Sequence, residues 1–362
     1  MPNRRTCRGA RRSTPRACGW TVSTAEARPP RRPSLDPASG AIRSSVRETL
    51  ARLGSLQPTV IIAVSGGADS MALLHACAFL HRRGELHAHA VTVDHGLQSS
   101  TAEVARRVVS IAESWGLPAE VATVTVAAGD EGLEAAARDA RYGALEAARE
   151  AHGAEWVLTA HTRSDQAETV LLGLMRGSGT RSLAGMALRT GTVVRPLLDI
   201  ERATNVASCR AQGIEVWDDP MNADDSFARV RARTLLATLE ADLGQPVTAN
   251  LARTAELCRA DADLLDGLAE TSAAAVRGRT EVPLAELAVM EDAILSRVVR
   301  EWLISLGVPA QSLGAARVAQ LCAQIREPGA TGRPHARLSL PGDTEVIITR
   351  QLLCFRRDAK TR

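Results

Sequence analysis

The stretch Thr59–Met71, TVIIAVSGGADSM, constrains this chain more than any other. A β-branched apolar run (Val60, Ile61, Ile62, Val64) stops at Ser65-Gly66-Gly67, and Asp69-Ser70 then opens a run of helix formers, Met71 to Cys77. The pattern predicts a buried parallel strand, a tight turn and a helix. Glycines let backbone N–H groups approach an anion closely. The helix start adds unpaired N–H groups and the positive end of a dipole. Ser65 and Ser70 add hydroxyl donors, so Ser65, Gly66, Gly67, Ala68, Asp69 and Ser70 form a candidate phosphate or pyrophosphate cradle. The spacing is not that of a Walker A loop, and no Lys follows the glycines. An ordinary Ser-Gly turn is the alternative.

The elements downstream favour a nucleotide site. Strands are expected at Leu86–Asp94, Val121–Val126, Trp156–Thr159 and Thr192–Val194. Helices are expected between them, at 102–115, 133–152 and 164–175. Such alternation implies an α/β fold with a doubly wound parallel sheet. Ligands bind outside the C-terminal strand ends of such sheets. Polar clusters fall there: the serine-glycine loop, then Asp94-His95-Gly96, then His161 with Asp165, Gln166 and Glu168.

Each candidate has a bland alternative. Asp94 suits a ribose or base contact and suits capping of the next turn equally. His95 and His161 are catalytic candidates or hydrogen-bonded structural histidines. Asp165 and Glu168, three apart on one helix face, suit Mg²⁺ binding, proton transfer or simple capping. Arg138 and Arg141 suit a phosphate grip, although spacing alone favours a solvated face. Arg229, Arg231 and Arg233 alternate just before a helix expected at 234–243 and suit an RNA backbone or a basic surface. Arg176 opens an Arg-Gly-Ser-Gly loop after a helix.

Composition sets the remaining bounds. The 362 residues allow two domains and a small third. The net charge of +3 conceals a division. Residues 1–50 hold 11 Arg and 3 acidic residues, a net +8, and the remainder carries −5. Any RNA surface on the body must therefore be a local arginine patch. Residues 1–40, rich in Arg, Pro and Ser, read as a disordered head. An organelle transit peptide is one reading of that head, and a non-conserved tail or an upstream start-codon artefact is the favoured one. No apolar run reaches membrane-spanning length, so a soluble chain with no membrane partner is expected. The seven scattered cysteines form no CxxC pair, which points to a reducing cytoplasm and to no cysteine-held metal.

Taken together, the motifs resemble the tRNA(Ile)-lysidine synthetase family of N-type ATP pyrophosphatases (PP-loop enzymes). The matching pieces run in order over about residues 58–235: SGGADS (65–70), VDHGL (93–97), EAAARDARY (134–142), TAHTRSDQAET (159–169), LMRGSGTRSLAGM (174–186), RPLL (195–198), DDPMN from 218 and FARVRAR to 233. Four positions depart from the usual pattern, namely Gln98, Thr162, Met221 and Val230. No catalytic carboxylate is missing.

The resemblance implies an ATP-dependent ligase using Mg²⁺, free L-lysine and a tRNA(Ile) with a CAU anticodon. ATP adenylates the C2 oxygen of the wobble cytidine, and the lysine ε-amine then displaces AMP to give lysidine. It implies a nucleotide role for residues 65–70 with Asp94 and His95. Catalytic roles fall to Asp69, Arg138, Arg141, His161, Asp165 and Glu168, with Asp69 and Asp165 beside Mg²⁺. Arg176, Arg229, Arg231 and Arg233 become tRNA candidates. The expected layout is a head (1–40), a PP-loop domain (41–245), a helical domain (246–327) and a short β-rich segment (328–362), which looks too short for the fuller C-terminal domain of longer members. Oligomeric state stays open, a homodimer included. The alternatives are a pyrophosphatase acting on another tRNA base or a small molecule, and a non-catalytic nucleotide- or RNA-binding protein.

Overall fold

In a computed structural model, residues 36–96, 99–125, 133–177, 179–217, 226–327, 336–340 and 344–357 are described. Helix α1 (Pro37–Arg52) starts where Asp36 accepts the Ser39 N–H at 2.8 Å and Pro37 takes the first turn. Its Ile42, Val46 and Leu50 are buried against the sheet core, so α1 begins four residues ahead of the expected domain edge at 41.

Strands β1 (Thr59–Ala63), β2 (His87–Asp94), β3 (Ala119–Thr123), β4 (Trp156–Leu158) and β6 (Val193–Val194) run parallel, and β5 (Arg189–Thr190) pairs antiparallel with β6. The order is β3-β2-β1-β4-β6-β5. The single strand expected at Thr192–Val194 is thus one arm of a hairpin. Val60 and Ile62 pack into one cluster with α1, α2 (Ala68–Arg82) and α3 (Ser99–Ser114). Ile61 faces the other way, with Val91 and Val157, onto Leu145 and Ala148 of α4 (Leu133–Ala151). Alternate β1 residues therefore bury against opposite helical layers, as a doubly wound sheet requires.

Helix α5 (Arg163–Met175) follows β4, and the one-turn α6 (Thr180–Leu183) follows α5. Helix α7 (Arg202–Ala211) packs on α1 and α2. Helix α8 (Ala228–Leu243) begins six residues ahead of the expected Thr234, so Arg229, Arg231 and Arg233 lie within it. Helix α9 (Val247–Ala273) is 27 residues long, roughly 40 Å at 1.5 Å per residue. Its first half packs with α5 and α8 around Ala167, Leu171, Ala232 and Leu236. Its last turns enter a second core.

That second core holds α10 (Leu284–Ala288), α11 (Asp292–Ser305), α12 (Ala315–Arg326) and an antiparallel sheet. The sheet order is β7-β10-β9-β8, from β7 (Glu281–Pro283), β8 (Ala336–Leu340), β9 (Thr344–Ile348) and β10 (Leu352–Arg357). The β-rich segment expected at 328–362 is an antiparallel meander, β8-β9-β10, widened by β7, whose Pro283 is tolerated on an edge. One hydrophobic cluster runs from Ala269 to Phe355, so the division expected at 327/328 crosses it. Trp302 is buried at its centre, edge-on to Phe355, with its indole N–H donating to the Arg279 carbonyl at 2.7 Å. Among the described residues no helix is long and apolar enough to cross a membrane.

Candidate active site

The C-terminal ends of β1, β2 and β4 meet α4 and α5 around a cleft of about 370 Å³. Ser65, Asp69, Ser70, His95, Arg141, Tyr142, His161, Asp165 and Trp217 are among the residues that line it.

Gly66 holds φ +87°, and a Cβ there would come within 3.1 Å of Val104. Any L side chain is therefore strained and crowded at that position. The Gly66 carbonyl accepts the Trp217 N–H at 2.9 Å, which ties the loop to a distant segment. The Ser65 N–H donates to the Ser70 hydroxyl (3.2 Å), which donates to the Gly67 carbonyl (2.9 Å). Ser70 thus braces the turn. No side chain caps α2 at Gly67, so the helix offers its first N–H groups without an internal competitor.

Asp69 stands in the first turn of α2. Its Oδ1 accepts from Asn205 Nδ2 at 2.7 Å, and Arg202 lies 3.6 Å from Oδ2. Burial raises its pKa against those two partners, and the Asp165 charge raises it further. Sequence reading missed Asn205 and Arg202, because both come from α7, more than 130 residues away.

Asp165 lines the cleft and also closes a capping box on α5. Its Oδ2 accepts from the Thr162 N–H and from the Thr162 hydroxyl, each at 2.8 Å. Thr162, one of the departures from the family pattern, therefore supplies a helix cap. Glu168, one turn on, is only 1% exposed. Its Oε1 accepts from Arg233 Nε at 2.7 Å, and Oε2 is buried without a hydrogen-bond partner. Burial raises its pKa, with Arg233 opposing. The equal spacing of the two carboxylates thus ends in unequal settings. Gln166, between them, clamps Met186 through both its amide atoms (2.7 and 3.0 Å). Gly185 beside it could carry no Cβ, which would sit 2.6 Å from Gln166 Oε1.

His161 pairs Nδ1 with the Thr159 hydroxyl at 2.9 Å. Burial first, with Arg195, Arg141 and Arg229 assisting, holds its pKa down to about 4, so it is neutral at pH 7. His95 is lowered too, by burial and then by Arg141, and its Nδ1 is buried without a partner. Arg141 enters the cleft, whereas Arg138 is exposed and lies over the Tyr142 ring at 5.0 Å. Arg195 of the RPLL motif is buried, donating to the Ala187 carbonyl at 2.8 Å and to Thr190 at 3.1 Å. Arg195 was unrecognised as a neighbour of the site, although its motif was visible.

Asp94 caps the next turn: its Oδ1 accepts from the Gly96 N–H (3.0 Å) and the Thr101 hydroxyl (2.7 Å), which lower its pKa. The three α8 arginines separate. Arg233 holds Glu168, Arg231 donates to the Ser226 carbonyl at 2.7 Å, and Arg229 lies near His161 and Arg141. Arg176 is exposed at the end of α5. Val230 lies in α8, and Gln98 and Met221 lie outside the described residues.

Residues 41–239 match the PP-loop domain family, and residues 283–357 match the TilS substrate binding domain. The tRNA(Ile)-lysidine synthase of Thermobifida fusca is 45% identical over 325 residues, covering 86% of this chain and 98% of that protein. The tRNA(Ile)-lysidine synthase of Streptomyces coelicolor is 46% identical over 301 residues, covering 81% and 83%. Among solved structures, the U34-tRNA thiolase NcsA from Methanococcus maripaludis, with its 4Fe-4S cluster, matches at a TM-score of 0.51 and 16% identity, over 61% of this chain and 80% of that one. At that identity the likeness concerns the fold.

Proposed function

The chain belongs to the tRNA(Ile)-lysidine synthase family, and from that premise we propose that its cleft joins lysine to C2 of the wobble cytidine of a CAU-anticodon tRNA(Ile), cleaving ATP to AMP and pyrophosphate. The observation that carries this reading is convergence. The Ser-Gly-Gly loop with Asp69, the His95 turn, Arg141, and the His161–Asp165 segment come from four separate stretches and line one cleft.

In this reading the loop and the uncapped start of α2 hold the phosphates, with the backbone N–H groups as donors. Arg141 stabilises charge at the α-phosphate as the C2 oxygen attacks and pyrophosphate leaves. The partial burial of Arg141, which lowers its pKa, strengthens that interaction. A divalent cation suits the carboxylates present. Asp69 and Asp165 are close enough for the charge of one to raise the pKa of the other, a repulsion that a cation relieves. Mg²⁺ bound there, by Asp69 and Asp165, would neutralise charge on the leaving group.

The lysine ε-amine has a reference pKa of about 10.4 and must lose a proton to attack. Asp165 is the acceptor we assign, because it lines the cleft while Glu168 does not. Glu168 acts through others, anchoring Arg233 and adding negative potential below the ammonium. Neutral His161 offers Nε2 as a hydrogen-bond partner without repelling the incoming cation. Arg229 is the α8 arginine best set to meet RNA phosphate, since Arg233 is engaged with Glu168.

The test uses the full chain with ATP, Mg²⁺, labelled lysine and tRNA(Ile) carrying CAU. Removing residues 1–40 would cut the first turn of α1 together with its Asp36 cap. RNA-bound label that needs ATP, and that disappears when the wobble C is replaced, is expected. ATP cleavage to AMP without lysine transfer would move the reading to another nucleophile or RNA.

A further inference from the structure

On the α4 side of the sheet, away from the strand ends that carry the cleft, three side chains from three elements converge. His89 lies on β2, Glu120 on β3, and His152 directly after α4. The strand register pairs Glu120 with Val91, so His89, two residues before Val91 on the same face, points to the same layer as Glu120. Their ligand atoms lie within 4.8 Å of one another. Both histidines direct Nε2 at one oxygen: Glu120 Oε1 is 3.3 Å from His152 Nε2 and 3.8 Å from His89 Nε2. The two imidazoles stack at 3.8 Å.

The distances identify what is missing. His89 Nε2 is buried and has no hydrogen-bond partner, a costly state for a polar atom. A 3.8 Å gap is too long for a hydrogen bond to the carboxylate. Zinc takes nitrogen and carboxylate ligands at about 2.0–2.2 Å, which places neighbouring ligand atoms of a tetrahedron about 3.3–3.5 Å apart. Two imidazole nitrogens and a carboxylate oxygen are already near that spacing. The His152 and Glu120 side chains are 34% and 43% exposed, so an ion can enter and the His152 ring can turn toward it. We propose that His89, Glu120 and His152 bind one divalent transition-metal ion of zinc type, with an open position for water, and that the ion ties the end of α4 to β2 and β3.

The placement assigns the ion a structural part. Arg141 lies eleven residues before His152, about 16 Å along the helix axis. The ion would take no part at the cleft but would fix the helix that delivers Arg141 and Tyr142 to it. His₂-carboxylate sets favour zinc over magnesium, which prefers oxygen ligands, so the site is distinct in chemistry from the ATP-linked cation.

The experiment titrates full-length, chelator-stripped protein with ZnCl₂ against a chromophoric competing chelator, with excess Mg²⁺ present. One equivalent should bind and raise the melting temperature. His152→Ala, at a partly exposed side chain that the core does not need, should bind at least about tenfold more weakly and lose the melting shift. Glu120→Gln should do the same. Asp165→Asn, in the cleft, should keep the full equivalent. Unchanged affinity in His152→Ala and Glu120→Gln, loss of the equivalent in Asp165→Asn, or no saturable binding would each overturn the assignment.

Discussion

In the parallel sheet, Val60, Ile61 and Ile62 are fully buried in sequence, whereas in the antiparallel sheet β10 alternates, with Leu353 and Phe355 buried and Leu352 and Cys354 only partly covered. The first sheet carries helices on both faces, so its inner strands are closed to solvent along their length, and the side chains that line the cleft collect where those strands end. The second buries one face in the core with α11 and α12, while on the other Ile347 is buried and Leu352 and Cys354 are partly covered. A doubly covered sheet thus gathers its cleft residues at the strand ends, while a sheet with one deeply buried face keeps a partly exposed face for recognition. The match of residues 283–357 to a substrate binding domain agrees with that division of labour.

The strongest way to break this comparison is Trp302→Ala. The indole fills the centre of the second core, and removing a buried aromatic costs about 3–5 kcal/mol. The Arg279 carbonyl also loses its donor. If the two cores are separable, the C-terminal core melts early and tRNA binding falls, while ATP binding at the cleft holds within about twofold. Calorimetry and nucleotide titration would check this. Parallel loss of ATP binding would show that α9, which enters both packing regions, makes them one cooperative unit.

Asp165→Asn should act the other way round. Lysine transfer should drop by at least about 10²-fold, the usual range for a lost proton acceptor. The melting temperature should move little, because an Asn side chain still accepts the bond from the Thr162 backbone that caps α5. Single-turnover labelling and a thermal melt would separate the two effects. Transfer near the wild-type rate would remove Asp165 from the proton path and leave Glu168 or His161 to be tested.

Acid should also distinguish the regions. His75 and His161 both lie in the sheet region, each held to about 4 by burial, with His75 further depressed by Arg43 and Arg82. A base whose folded pKa lies below its ordinary value of 6.5 stabilises the fold fully above 6.5, and that stability is lost as pH falls toward 4. At pH 5 the loss is roughly 2 kcal/mol for one such group. Seven of the eight histidines precede residue 162, and the eighth, His335, lies outside the described residues. The sheet region should therefore melt earlier between pH 6.5 and 4. His75→Leu should flatten that fall.

Sequence made the parallel sheet legible because each strand ends in a local signal: β-branched residues, then glycine or a polar cluster. The Ser65–Ser70 loop, His161 and Asp165 were found this way, whereas Arg141, on a helix, came only from the family resemblance. Helix α1 was not, since its Asp36-Pro37 start lies in Arg/Pro/Ser-rich surroundings that resemble the head. The start of α8 was missed because Arg229, Arg231 and Arg233 suggest a period of two, although they lie on a helix. Once helical, positions two apart point in different directions, which is why one arginine holds Glu168 while another turns to Ser226. β7 escaped notice because a three-residue strand is specified only by its partner β10, about seventy residues on. Asn205 was hidden for the same reason.

Asn205 also provides the finest test of the comparison, because it acts on the edge of the parallel sheet from within the covering layer. It is fully buried, donates Nδ2 to Asp69 and leaves its own Oδ1 without a partner. Replacing it by Leu keeps the volume and removes one unsatisfied atom but leaves Asp69 Oδ1 without its donor, so the two effects offset and stability should change little. Asp69, however, loses the bond that favours its charged form, and its pKa should rise further. The acid limb of the pH–activity profile should then move to higher pH, and the KM for ATP should increase about tenfold, the scale of one hydrogen bond to a charged group. A filler of the α7 layer would change the melt and leave both readouts alone. A positioning residue changes both readouts and leaves the melt alone, with Arg202 still holding Asp69 from the other side.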